Sequence, residues 1–257
     1  MLKEETKFEN SNIFEGMPSI SAVIKSIENG GSNRRIKTIY IDEKKINSKR
    51  KEIGFIKAKS TSLLFSVEFV DPEIISQMTV GNTHGGIIAE CTERVFDHLD
   101  AKMINECGVY YLLDGIEDPY NFGNALRSIY ASGADGVIVG ERNWLGVSGT
   151  LARASAGASE LLPIFVSETL GAIDQFKQRG YKVICAGIRD SVSLFDADLS
   201  LPLLVILGGE KRGISRAVLD KADEIVRIEY GRDFNGSLSA SASASVFAFE
   251  ILRYNKK

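Results

Sequence analysis

The chain has 257 residues, 44% of them hydrophobic and 25% charged, with 24 glycines and 5 prolines. These fractions are those of ordinary globular proteins, and they exclude a disordered chain, a collagen-like repeat or a disulfide scaffold. The 31 Lys and Arg against 34 Asp and Glu leave a net charge of -3, which argues against a protein that coats nucleic acid with its whole surface.

Residues 1–13 read as a polar leader without the apolar stretch of a signal peptide. From Met17, Ile20, Val23, Ile24 and Ile27 recur at helical spacing until Gly30-Gly31 ends the run. IKTIYID (36–42) alternates like a strand, and residues 47–60 read as a basic helix opened by an Asn47 or Ser48 cap. A strand over 63–69, a short helix after Pro72 and a strand within 85–93 follow. The segment 96–108 reads as a connecting helix. The pattern predicts a leader, a small α/β domain over 14–105 and a second domain over 106–257.

The second domain alternates more strongly. Strands are predicted at 109–116, 136–140, 163–167, 182–187, 202–209 and 224–230. Helices fall at 121–132, 149–157, 169–179 and 215–222, with a long final one over 237–255. Runs such as LLVIL (203–207) are apolar at every position, which requires cover on both faces and so a parallel sheet flanked by helices. In the last segment Ser alternates with Ala at period two, as a strand also could. Ser237, Ser241 and Ser245 at i, i+4, i+8 favour a helix with one nearly smooth face.

Cys91, Cys107 and Cys185 are odd in number and widely spaced, and His84 and His98 are the only histidines. No metal site or disulfide framework is expected, and the thiols read as small buried groups of a reducing compartment. His84 falls in a turn and His98 among helix residues. The uncharged run of note, the Ser/Ala-rich Asn235–Phe249, is too short to span a bilayer. The expectation is a soluble, cytoplasmic protein with no membrane partner.

In a parallel sheet a ligand lies beyond the carboxyl ends of the strands. Three such ends carry polar residues. Asn121 and Arg127 follow the first; alone they read first as a helix cap and a solvated side chain, and otherwise as two groups at one edge. Gly208-Gly209-Glu210 follows the fifth, where glycines let backbone N–H groups approach a ligand. Ile214 stands where a phosphate loop needs Lys, and no G-x-G-x-x-G follows the first strand, so a nucleotide-dependent enzyme on small molecules is disfavoured. The sixth end leads to GRDFNGSLS, with Ser237 opening the last helix.

Together NFGNALRS, LLVILGGEKRGIS and VRIEYGRDFNGSLSASASA resemble, in order, the three motifs of the SpoU/TrmH-type RNA 2′-O-methyltransferases of the SPOUT superfamily. The resemblance covers about residues 108–255. It implies an α/β sheet whose C-terminal part forms a deep trefoil knot, S-adenosylmethionine bound among the knot loops, and a homodimer. GMPSISAVIKSI and NTHGGIIAE resemble, without a sharp motif, the L30e-like RNA-binding domain carried by ribosomal-RNA members. The implied catalytic residues are Arg127, Asn121, Glu210 and Ser237. The implied cofactor contacts are Leu207, Gly208, Gly209, Ile228, Ser237 and Leu238. The chain departs from the pattern at Ser239, where the family has Asn, and at Ile228-Glu229-Tyr230, where it has I-P-M.

The implied reaction moves a methyl group from a sulfonium to a ribose 2′-oxygen. Arginine stays protonated in proteins, so Arg127 is read as a cation for the developing alkoxide and a neighbouring phosphate, oriented by Asn121 and Glu210. The target is read as 23S ribosomal RNA ahead of transfer RNA. The competing reading, kept open by Ser239, is a protein of this fold that binds RNA and cofactor without methyl transfer. From Arg34 to Lys59 ten Lys and Arg face three acidic residues. This local +7 makes Arg34, Arg35, Lys49, Arg50 and Lys51 candidate RNA contacts.

Overall fold

A computed structural model describes residues 12–79, 83–140 and 147–256. The proposed leader lies outside these residues, apart from its last two. The chain divides into two compact units. One takes the described residues within Met1–Val95 and Asn143–Leu161; the other takes those within Phe96–Arg142 and Leu162–Lys257. Sequence pattern places one boundary near residue 105, whereas packing groups 147–161 with the N-terminal residues.

The first unit opens with strand β1 (Ile13–Glu15) and helix α1 (Gly16–Glu28), followed by β2 (Ile36–Asp42). Helix α2 (Arg50–Leu63), β3 (Ser66–Val70), α3 (Pro72–Met78) and β4 (Ile87–Cys91) complete its first stretch. The sheet order is β1-β4-β2-β3, antiparallel except for the β2–β3 pair. Ile20, Val23 and Ile24 of α1 pack with Ile39 and Ile41 of β2 and Ile53 and Ile56 of α2. Ala152 joins that cluster from the helix Ser148–Ala154, and the next helix, Ala158–Leu161, lies in the same unit.

Two local expectations fail for identifiable reasons. The α2 helix begins at Arg50 without a side-chain cap, so neither Asn47 nor Ser48 opens it. Asp42 instead caps a 3-10 turn over Glu43–Lys45, and the Ser48 hydroxyl donates to the Lys45 carbonyl at 3.0 Å. At its other end α2 runs through Leu63, and Leu64, 88% exposed, takes a left-handed φ of 58° that reverses the chain. The strand expected from 63 therefore starts at Ser66.

The second unit is one parallel sheet of eight strands. Its first strand, β5 (Asp97–His98), stands where a connecting helix was expected and pairs with β8 at the sheet's edge. The helix fails because the Leu99 N–H bonds to the Val166 carbonyl and Asp100 caps a 3-10 turn over Ala101–Met103. His98 thus lies on an edge strand. The unit continues with β6 (Val109–Asp114), α4 (Pro119–Ala131), β7 (Gly136–Val139) and β8 (Ile164–Val166). Helix α5 (Thr169–Gln178), β9 (Lys182–Ala186), β10 (Val192–Ser193) and β11 (Leu203–Gly208) follow. Helix α6 (Arg216–Leu219), β12 (Glu224–Arg227) and α7 (Ala240–Asn255) close the chain.

The sheet order is β10-β12-β9-β11-β6-β7-β8-β5, so β11 pairs with β6 in the middle, Leu203 opposite Val109 through Gly208 opposite Asp114. Both strands bury their first five residues, as a sheet covered on both faces requires. This register brings the carboxyl ends of β6 and β11 side by side. The α/β class, with a smaller α/β unit at the N-terminus, is as the sequence pattern indicated.

The long last segment is a helix, and its Ser/Ala face has a purpose. α7 packs on α4, where Ser245 and Ser128 hydroxyls meet at 2.6 Å and Ala240, Ala244 and Ala248 are buried. Small side chains let the two backbones approach. Among the described residues, no helix is long and apolar enough to cross a membrane.

Candidate active site

The site grows from the three strand ends. Asp118 caps α4, accepting from the Tyr120 and Asn121 N–H groups, with Pro119 in the first turn. Asn121 is thus released from capping. Its Nδ2 donates to Glu210 Oε1 at 2.8 Å, and its Oδ1 accepts from the Ser241 hydroxyl at 3.1 Å. Glu210 Oε1 also accepts from the Ala240 N–H, at 3.3 Å. One carboxylate oxygen therefore ties the loop after β11 to the starts of α4 and α7, joining all three motifs.

Ser237 does not open α7. Ser239 is the cap, with its Oγ accepting from the Ala242 N–H at 3.2 Å and 3.0 Å from Ser241 Oγ. Two residues upstream, Ser237 is exposed and lines a cavity.

That cavity, about 850 Å³, lies at the carboxyl ends of β9, β11 and β12. Leu207, Gly208, Gly209, Ile228, Ser237 and Leu238, the six candidate cofactor contacts, all line it, as does Glu210. A smaller cavity of about 270 Å³ shares Glu210 and is bounded by Gly115, Asp118 and Asn121. The larger cavity has a further wall that sequence reasoning missed, Gly187–Asp190 after β9, together with Tyr230, Phe234 and Phe247. Nothing in the spacing of 187–190 sets it apart; its place at a further strand end of the same sheet was the available signal.

Tyr230, at the family's methionine position, accepts from the Leu238 N–H through its hydroxyl at 3.2 Å. Its ring lies edge-on to Phe234 at 5.7 Å. The departure from the motif thus supplies a hydrogen bond that holds the loop around Ser237. One of the two glycines is also required by the packing of the chain itself. A Cβ on Gly209 would stand 1.9 Å from the Gly115 carbonyl oxygen, so glycine there lets two segments of this chain pass.

The candidate cations separate. Arg127 is exposed on α4 and lies outside both cavity linings. The Asn121–Glu210 pair bonds to α7 and makes no bond to Arg127, so the expected orienting contact is missing among the described residues. In the first unit Arg35, Arg50 and Lys51 are exposed, and Lys49 is paired with Glu52 at 2.9 Å. Arg34 is a correction: it is 1% exposed and cannot grip a phosphate. Its guanidinium bonds to both Glu160 oxygens, at 3.0 and 3.3 Å, and to the Thr92 carbonyl, and stacks 4.8 Å from the centre of the Phe14 ring. A charge so buried needs such a partner. Cys107 is likewise exposed, unlike Cys91 and Cys185.

Residues 108–249 match the sequence model of the SpoU rRNA methylase family. The chain belongs to the SpoU methylase family. Residues 15–95 match the model for an RNA 2′-O ribose methyltransferase substrate-binding domain. The chain is 26% identical to YacO of Bacillus subtilis, assigned to the TrmH family of tRNA/rRNA methyltransferases, over 91% of this chain and 93% of that one. It is 33% identical to a TrmH-family relative from Staphylococcus saprophyticus over 66% of this chain and 70% of the other.

Among solved structures, the AdoMet-bound rRNA methyltransferase from Sinorhizobium meliloti matches with a TM-score of 0.78 at 22% identity, over 95% of this chain and 87% of that one. The SpoU methyltransferase AviRb from Streptomyces viridochromogenes, in complex with AdoMet, matches with a TM-score of 0.76 at 21% identity, over 100% and 97%. At these identities the likeness is one of fold. This SpoU-family chain therefore has the relatives that its three motifs implied.

Proposed function

We propose that this SpoU-family protein methylates a ribose 2′-hydroxyl of RNA, using S-adenosylmethionine. The observation that carries the reading is the convergence of the three motif segments, through Glu210, beside one cavity. The cavity suits the cofactor: it is large enough for a nucleoside with an amino-acid arm and offers backbone at Gly208, Gly209 and Ile228. Leu207, Leu238 and Phe247 provide apolar walls for an adenine ring. Bound there, the cofactor would supply an electrophilic methyl group on a sulfonium.

The protein's own contribution is positioning and charge. Asn121 and Glu210 fix the starts of α4 and α7 against the loop after β11, which sets the shape of the site. Ser237 lies on the cavity rim, suited to positioning substrate or cofactor. Arg127, exposed and bonded to no described residue, suits a cation that meets RNA, stabilising the developing alkoxide and a neighbouring phosphate. Holding the reactants aligned can supply about 7–11 kcal/mol.

The finer parts of the proposal rest on particular supports. The substrate-binding match at 15–95 supports RNA as partner, and the rRNA methylase model matched over 108–249 supports ribosomal RNA as target. Tyr130 on α4 and Phe249 and Tyr254 on α7 are exposed, which supports a homodimer through these helices. Three unpaired cysteines support a reducing, cytoplasmic setting. Incubation with methyl-labelled cofactor and RNA tests the reaction. Label recovered in 2′-O-methylnucleosides supports the reading, and label absent from RNA defeats it.

A further inference from the structure

Most of the first unit's large apolar side chains are buried, yet Phe55, midway along α2, is 39% exposed. A single exposed Phe is unremarkable by itself. Its neighbours set it apart. Lys51 and Lys59 stand four residues before and after it, on the same helix face, and span about 12 Å at 1.5 Å per residue. Lys51 is exposed, and no hydrogen bond or ion pair engages it among the described residues. The Lys59 ammonium lies 5.8 Å from the centre of the Phe55 ring. The same Lys59 also reaches Glu28 at 2.6 Å, a partly exposed pair of the kind that contributes little and exchanges readily.

A flat apolar ring between two cations on a solvated helix offers a base a stacking face and offers the flanking phosphates two charges. A duplex keeps its base faces stacked on each other and can present only its backbone and grooves to such a surface. We propose that the Lys51–Phe55–Lys59 face of α2 binds unpaired RNA, with a base stacked on Phe55. The proposal rests on the reading that RNA is the substrate, and it adds that the first unit grips a single-stranded element. It also moves the grip from Arg34 and its neighbours to the outward face of α2. Lys57, two residues from Phe55 and so on another side of the helix, lies 5.3 Å from the Phe69 ring and is not part of this face.

The test uses the full chain and fluorescent oligoadenylate of about twelve nucleotides, within the usual site size of a single-strand surface. The same strand annealed to oligouridylate serves as the duplex. Phe55→Leu keeps an apolar side chain and removes the ring, and should weaken oligoadenylate binding about tenfold while leaving duplex binding unchanged. Phe55→Trp should restore it. Lys51→Gln with Lys59→Gln should weaken binding and reduce the slope of log affinity against log salt by about 1.4. Glu28→Gln, which frees Lys59, should keep or raise affinity. Parent-like binding by Phe55→Leu, no oligoadenylate binding by the parent, or tighter binding of duplex would each overturn the proposal. Methyl transfer by the parent is measured separately, so loss of the enzymatic reading and loss of this surface are told apart.

Discussion

Arg34 in the first unit and Arg127 in the second carry the same group, and sequence reasoning sent both to RNA. One is buried against Glu160, Thr92 and Phe14, and the other stands exposed on α4 without a partner among the described residues. The difference is the environment each backbone position dictates. Arg34 sits just before β2, and its partner Glu160 comes from 126 residues away, in a segment that packs with the first unit. A buried cation of this kind holds a structure together; an exposed and unpaired one is available for chemistry.

Substitution separates the two most sharply. Arg127→Ala should reduce methyl transfer at least about a hundredfold while leaving the melting temperature and cofactor affinity near the parent's. Unchanged transfer would remove Arg127 from the mechanism. Arg34→Ala should do the reverse. Leaving Glu160 buried without its partner should cost about 3–5 kcal/mol in denaturant unfolding. The surviving folded fraction should transfer methyl groups normally. If Arg34→Met with Glu160→Leu recovers most of that loss, the pair is structural; a loss of RNA affinity at unchanged stability would reverse the assignment.

A smaller effect should follow at the cap of α7. Ser239→Ala should cost about 1 kcal/mol of stability, and Ser239→Asn, the family's residue, should keep the cap and the activity. If Ser239→Asn raised activity greatly, the native serine would mark an impaired enzyme. The smallest effect is chemical. Burial pushes the Cys91 and Cys185 thiols up to about 12. Both therefore stay protonated at neutral pH and should resist alkylation in the folded protein. Cys107, exposed, should react, and mass spectrometry counts the adducts.

Much of this was legible in the residues. Continuous apolar runs such as LLVIL marked a doubly covered sheet, and parallel register then brought the motif-bearing ends together. All six candidate cofactor contacts line one cavity for that reason. What stayed hidden depended on distant partners. Nothing near Arg34 announces Glu160, and nothing in 96–108 announces that Leu99 will bond to Val166 rather than continue a helix. The caps were misread because several polar residues competed: Asp118 displaced Asn121, and Ser239 displaced Ser237. Displacement from the cap freed Asn121 to bond Glu210.

The most direct test is transfer of labelled methyl groups from S-adenosylmethionine to RNA from cells lacking this protein, followed by digestion to nucleosides. The expected result is one 2′-O-methylnucleoside at a defined position, formed by the parent and lost with Arg127→Ala. Label on a base, or equal transfer by the two proteins, would contradict ribose methylation at this site.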